Sequence, residues 1–219
     1  MTILFSQYWD VNPGEYDEYS KFISETFNPG LEKLGIRMLG GFYVAVGAGP
    51  RIVAAAAVEN DIGLLAAFSS REYRIMATQL QRYVYNYGNR VWIPTGMFRD
   101  QTFNIQTGAW KFNQYYDIVP GQEDAHNRFV SEEAIPMMKD MGVPVTHGWR
   151  LAIGAGPRIL AECTARSLAD IAKAIDSAQY RRLSRTLKKL YAVNFSSRIL
   201  APTGRVEVPY LIAEMMKGF

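Results

Sequence analysis

Cysteine is almost absent. The one thiol in 219 residues, Cys163, excludes an internal disulfide framework and fits a reducing compartment. Histidine is nearly as scarce: His126 and His147, with a single cysteine at unrelated spacing, do not make a structural zinc site. No run approaches the roughly 18 uninterrupted apolar residues of a membrane span, and the N-terminal stretch lacks the basic and apolar regions of an export signal. A cytoplasmic protein is expected. Charge of one sign is missing too, since 24 basic residues face 21 acidic ones along the chain, which argues against a dedicated polyanion binder. There is no G-x-S-x-G elbow.

What the chain does have is a repeat. GAGPRI at 47–52 recurs letter for letter at 154–159. The same shift of 107 residues sets Phe5 on Phe112, Asp10 on Asp117, Pro13-Gly14 on Pro120-Gly121, Gly35 on Gly142 and Tyr73-Arg74 on Tyr180-Arg181. Across 5–80 and 112–187 about a third of positions are identical without a gap. After one inserted residue, Arg90, Pro94, Thr95 and Gly96 match Arg198, Pro202, Thr203 and Gly204. A unit of about 95 residues is too long for a solenoid repeat and right for a small domain. The chain therefore divides into repeat one (1–96), a linker (97–109), repeat two (110–204) and a tail (205–219).

Each repeat reads as β-α-β-β-α-β. Residues 3–10 alternate as a strand, and from Tyr16 the positions Tyr19, Phe22, Ile23, Phe27 and Leu31 mark one face of a helix. Pro29-Gly30 should kink or break it. Strands follow over 36–46 and 51–59, joined by Gly47-Ala48-Gly49-Pro50. A dinucleotide fingerprint would need a third glycine and a helix directly after, whereas here a strand follows, so GAGPRI is a hairpin. Ser69 with Glu72, and Asp176 with Gln179, suggest helix caps. A last strand spans 90–93, and its counterpart 198–201. The tail VEVPYLIAEMMKGF reads as an amphipathic helix over an open sheet edge. Aromatic residues are missing from the third strands, RIVAAAAVE and RILAECTAR, which removes the stacking platform of an RNA-binding module, so no nucleic acid is expected.

With both helices on one side, each four-stranded sheet leaves a bare face, carrying Tyr8, Leu39, Tyr43, Val53 and Ala55 in repeat one. Two such faces packing on each other remove the problem. The fold class expected is α+β: two tandem ferredoxin-like repeats with antiparallel sheets packed face to face as a barrel. Pro13-Gly14, Pro29, Gly35, Gly41, Tyr73-Arg74 and their partners Pro120-Gly121, Pro136, Gly142, Gly148, Tyr180-Arg181 resemble the dimeric α+β barrel superfamily, particularly its NIPSNAP-like members. The resemblance implies a fused pseudo-dimer, since members usually pair two one-repeat subunits. It also implies a choice among cofactor-independent monooxygenases, isomerases, haem enzymes and proteins without activity, which fold alone does not settle.

Both histidines lie where the repeats differ. His126 takes the place of Tyr19 on the inner helix face, and His147 that of Gly40. Alternation puts His147 on one face with Val145, Trp149 and Leu151. If that face receives the helices, His126 and His147 share one helix-to-sheet pocket as the catalytic candidates, with Trp149 between them and Cys163 nearby to bind ligand. The structural alternative is two hydrogen-bonded core histidines. Arg150 and Glu162, replacing Tyr43 and Ala55, fall on the opposite face, where they pair or line a wet cavity and join the ligand-binding set. The expected function is binding of a small apolar or aromatic molecule, with oxygenation or isomerisation as the reaction classes the resemblance implies. No metal and no cofactor are expected, and the homo-oligomeric state is left open. A non-enzymatic scaffold is the alternative. Haem on His126 or His147 is a lesser one.

Overall fold

Strands β1 (Ile3–Val11) and β5 (Trp110–Ile118) are buried on both faces along most of their length, and the rest of the protein is built around them. The computed structural model describes residues 2–98 and 108–203. The helix expected over 206–219 and most of the linker lie outside the described residues. In the first half β1 leads through a helix to β2 (Arg37–Val46) and β3 (Ile52–Val58), then α3 (Asp61–Ser69), α4 (Arg71–Tyr83) and β4 (Val84–Pro94). The second half has the same order: a helix, β6 (Val145–Ile153), β7 (Ile159–Ala165), α7 (Leu168–Asp176), α8 (Ala178–Thr186) and β8 (Ala192–Pro202).

The eight strands close into one antiparallel barrel in the order β1-β3-β2-β8-β5-β7-β6-β4. Advancing every label by one half returns the same ring, so the halves are related by a half-turn about the barrel axis, and β1 and β5 run parallel on opposite walls. The sheets thus do more than face each other: they join edge to edge through β2 with β8 and β4 with β6. Closure removes the free edges that a lone sheet would expose.

The first helix is α1 (Tyr16–Phe22), a π turn (Ile23–Phe27) and α2 (Asn28–Lys33) without interruption. Pro29 lacks an N–H and its ring would strike the carbonyl four residues back, and the wider turn before it absorbs both defects, so the helix neither stops nor snaps. Around Pro136 the same device links α5 (Glu123–Phe129), a π turn (Val130–Ala134) and α6 (Ile135–Asp140). The caps sit one residue later than the sequence suggested. Ser70 accepts from the Tyr73 N–H and donates to the Ala67 carbonyl, ending α3 and starting α4 in one side chain, and Ser177 does the same with Tyr180 and Ala174. Ser69 is still helical, its hydroxyl spent on the Leu65 carbonyl, so it has no lone backbone geometry to cap with. Strands β4 and β8 also begin six residues before their expected starts, and Asn86 and Asn194 near their heads take left-handed φ values of 52° and 53°.

The repeated motifs join one half to the other. Hairpin 47–50 of the first half lies on Arg198 of β8: a Cβ on Gly47 would stand 2.9 Å from the Ser197 carbonyl oxygen, and one on Gly49 2.5 Å from Arg198 Nη2. Hairpin 154–157 lies likewise on Arg90 of β4. Asp10 and Asp117, in both repeats, accept from the Arg51 and Arg158 N–H and from the amides of Asn86 and Asn194, binding each hairpin to its strands. Thr95 N–H reaches the Gly148 carbonyl, and Thr203 N–H the Gly41 carbonyl.

Candidate functional site

Which way each side chain points depends on two bulges. Register slips in β2 between Met38 and Gly40, and in β6 between Val145 and His147. The extra residue reverses the alternation. In β2, Phe42 and Val44 face the barrel interior and Tyr43 turns to the helices, the reverse of the sequence reading. In β6, Val145 faces the helices, but Trp149 and Leu151 enter the interior. His147 stacks on Trp149 with ring centroids 5.6 Å apart.

The two histidines therefore do not share a pocket. His126 stays in the helix-to-sheet layer, 2% exposed, with Nε2 2.9 Å from the Tyr116 hydroxyl and Nδ1 3.1 Å from the Asn127 amide oxygen. Burial pushes its pKa down, against the opposing pull of Asn127. In the first half Trp9 donates to the Tyr19 hydroxyl at the matching place, so His126 continues a buried polar pair. Cys163 lies elsewhere in that layer, among Phe112, Met138, Val143 and Tyr180, and burial pushes its thiol far up, which keeps it unreactive. Arg150 is exposed on the outside of β6, because alternation from the buried Trp149 turns it away from the interior. Both nitrogens of His126 are engaged and His147 is on the other side of the sheet, so the layer does not fit haem.

Glu162, alone of the expected pair, enters the barrel and meets a residue the sequence reading passed over. Lys111 Nζ lies 2.8 Å from Glu162 Oε1, each side chain 5% exposed. His147 Nδ1 stands 3.5 Å from the same oxygen, longer than an ordinary hydrogen bond. Burial pushes the Glu162 carboxyl upward, but Lys111 and then His147 outweigh it and hold it at about 2. The Lys111 ammonium also lies 4.7 Å from the centre of the Phe42 ring. Buried Asn113 stands beside them on β5. The signal was in the repeat: the 107-residue shift sets Lys111 on Leu4, Asn113 on Ser6, His147 on Gly40 and Glu162 on Ala55. None of these residues borders the open groove of about 860 Å³ between α7, α8 and the end of β2, walled by Val46, Leu168 and the basic Arg181, Arg185 and Lys188.

No family model and no curated protein matches the chain. Solved structures do. An anthrone oxidase-like protein superposes with a TM-score of 0.63, covering 92% of this chain and 90% of that one at 7% identity. A candidate monooxygenase from Lactobacillus acidophilus gives 0.59 over 91% and 93% at 8% identity. The fold is that of the dimeric α+β barrels. At such identities the likeness concerns the fold and nothing finer. A NIPSNAP-like domain protein from Burkholderia xenovorans aligns at 15% identity with 44% of this barrel and 87% of its own chain, and its TM-score of 0.36 is too low to argue from. Among the described residues no helix of the barrel is long and apolar enough to cross a membrane, and no group of three His, Cys, Asp or Glu could hold a metal ion.

Proposed function

We propose that the second half of the barrel interior binds a small aromatic or apolar molecule and that His147 moves a proton to or from it. One observation carries the reading. The first half closes its share of the interior with Leu4, Gly40 and Ala55, whereas the second buries Lys111 and Glu162 and sets the half-buried His147 beside them at the matching positions. A buried ion pair gives little net stability over an apolar one, so the fold itself has no need of it. In this arrangement Lys111 keeps Glu162 charged, Glu162 orients the imidazole, and His147, at 12% the most accessible of the three side chains, meets the substrate. Proton abstraction from carbon is shared by isomerisation and cofactor-independent oxygenation. We also read the two halves as one module copied in tandem, with 97–109 as its linker.

The likeness to an anthrone oxidase-like protein suggests the probe. Anthrone in air would lose its C–H proton to His147, and dioxygen would take the electrons, giving anthraquinone and water with atoms balanced. Anthraquinone absorbance should grow faster with the protein than in buffer, and His147→Gln should cut the gain by about 100-fold or more. A scaffold is the second reading, favoured by Trp92, Trp149 and Tyr115, which fill the interior at 0–2% exposure. No acceleration by the unaltered protein would decide for the scaffold, and a gain that survives His147→Gln would remove His147 from the reaction.

A further inference from the structure

At the hairpin end of the barrel two arginines face the interior without a carboxylate. Arg90 precedes the inward Trp92 by two on β4, and Arg198 precedes the inward Leu200 by two on β8. The Arg90 guanidinium carbon lies 5.1 Å from the Tyr8 ring centre and 5.9 Å from that of Tyr115, and Arg198 stands 5.6 and 5.5 Å from the same two rings. Both cations thus gather around one pair of tyrosines on the half-turn axis. Arg90 Nε donates to the Ala155 carbonyl, and Arg198 Nη1 is buried with no hydrogen-bond partner. Among the described residues neither is in an ion pair. The rim carboxylates, Asp10 and Asp117, are taken by hairpin N–H groups and asparagine amides. Elsewhere in the barrel interior the Glu162 carboxylate is taken by Lys111. Tyrosine faces offset part of such a charge, but two like charges side by side and half-buried, one with a buried Nη1 that nothing accepts from, call for an anion.

We infer that Arg90 and Arg198, under the two Gly-Ala-Gly-Pro hairpins, form a binding site for a small oxyanion, a phosphate or a carboxylate group, at this mouth of the barrel. Guanidinium forks match both in geometry. The site is on the axis, so it takes one ligand per chain, and it explains why the hairpin and the arginine beneath it are both spelled identically in the two repeats.

The test is the melting temperature of the full chain at constant ionic strength, with chloride replaced stepwise by inorganic phosphate in one arm and by acetate in the other. A saturable rise in at least one arm is expected, with one site per chain by phosphorus-31 or carbon-13 line broadening of the added anion. Arg90→Lys and Arg198→Lys keep the charge and lose the fork, and each should weaken half-saturation about tenfold. Arg90→Met/Arg198→Met should lose the broadening, a readout that needs only folded protein. If the double variant does not fold, the lysine variants decide alone. A rise in phosphate only names a phosphate ligand, and in acetate a carboxylate. An unsaturable response, or broadening unchanged in the lysine variants, overturns the site.

Discussion

Replacing Lys111 with Met should cost about 3–5 kcal/mol in urea denaturation, because it strands the Glu162 carboxylate in the barrel. Replacing both with the first half's residues, Lys111→Leu with Glu162→Ala, should leave stability close to that of the unaltered protein. Acid titration supplies the matching signature. Glu162 is held below its ordinary 4.5, at about 2, so its contribution is complete above about pH 4.5 and is lost as the pH falls toward 2. The double variant should lack that component. His126 behaves in the opposite chemical sense but with the same slope: burial lowers its pKa from 6.5, the folded protein keeps it neutral, and stability should drop as the pH falls below about 6.5. His126→Phe should remove that dependence and cost about 1–3 kcal/mol by orphaning the Tyr116 hydroxyl, with Tyr116→Phe added to recover most of it. Lys111 was legible only by comparing repeats, as the cation that stands where repeat one has Leu4. His147 was legible as a residue but not in its direction. A single bulge inverted it, and the marker, Gly40-Gly41 inside the matching strand of the first half, signals a bulge without giving its sense.

Among elements, the hairpins are the least tolerant of change. Gly47 has φ of +123° and a Cβ on it would stand 2.9 Å from the Ser197 main-chain oxygen, so Gly47→Ala should cost about 1–3 kcal/mol, and more than an alanine at the exposed, open Gly14. Guanidinium chloride midpoints of the two variants provide the comparison. The cap serines end one helix and begin the next, so Ser70→Ala and Ser177→Ala should each lower stability by about 1 kcal/mol. Element order and the hairpins were readable from composition and period, and the structure adds the left-handed Gly35 and Gly142. The π turns were not. Pro29 and Pro136 announce a disturbance in the helix, but whether the chain breaks or widens depends on the sheet that the helix covers on both sides of the proline.

For the whole molecule, the edge-to-edge joins set what a half can do by itself. Residues 1–98 alone would carry β2 and β4 as open edges over an apolar face, and should self-associate into a homodimeric barrel or aggregate. Mixed with 108–219, they should form a one-to-one complex, and native mass spectrometry distinguishes these species from folded monomeric halves, which the barrel does not allow. The closed ring was the part of the architecture least visible beforehand, because the edges that meet belong to strands about 150 residues apart, β2 with β8, whose pairing leaves no local mark.

That pairing also fixes when, during synthesis, the protein becomes complete. The hairpin at 47–50 emerges from the ribosome early, yet the arginine it closes on is Arg198, near the far end of the described chain. Until that last strand is made, the nascent polypeptide holds an unsealed staircase of strands, and the cell must shield it from neighbours for nearly the whole of translation.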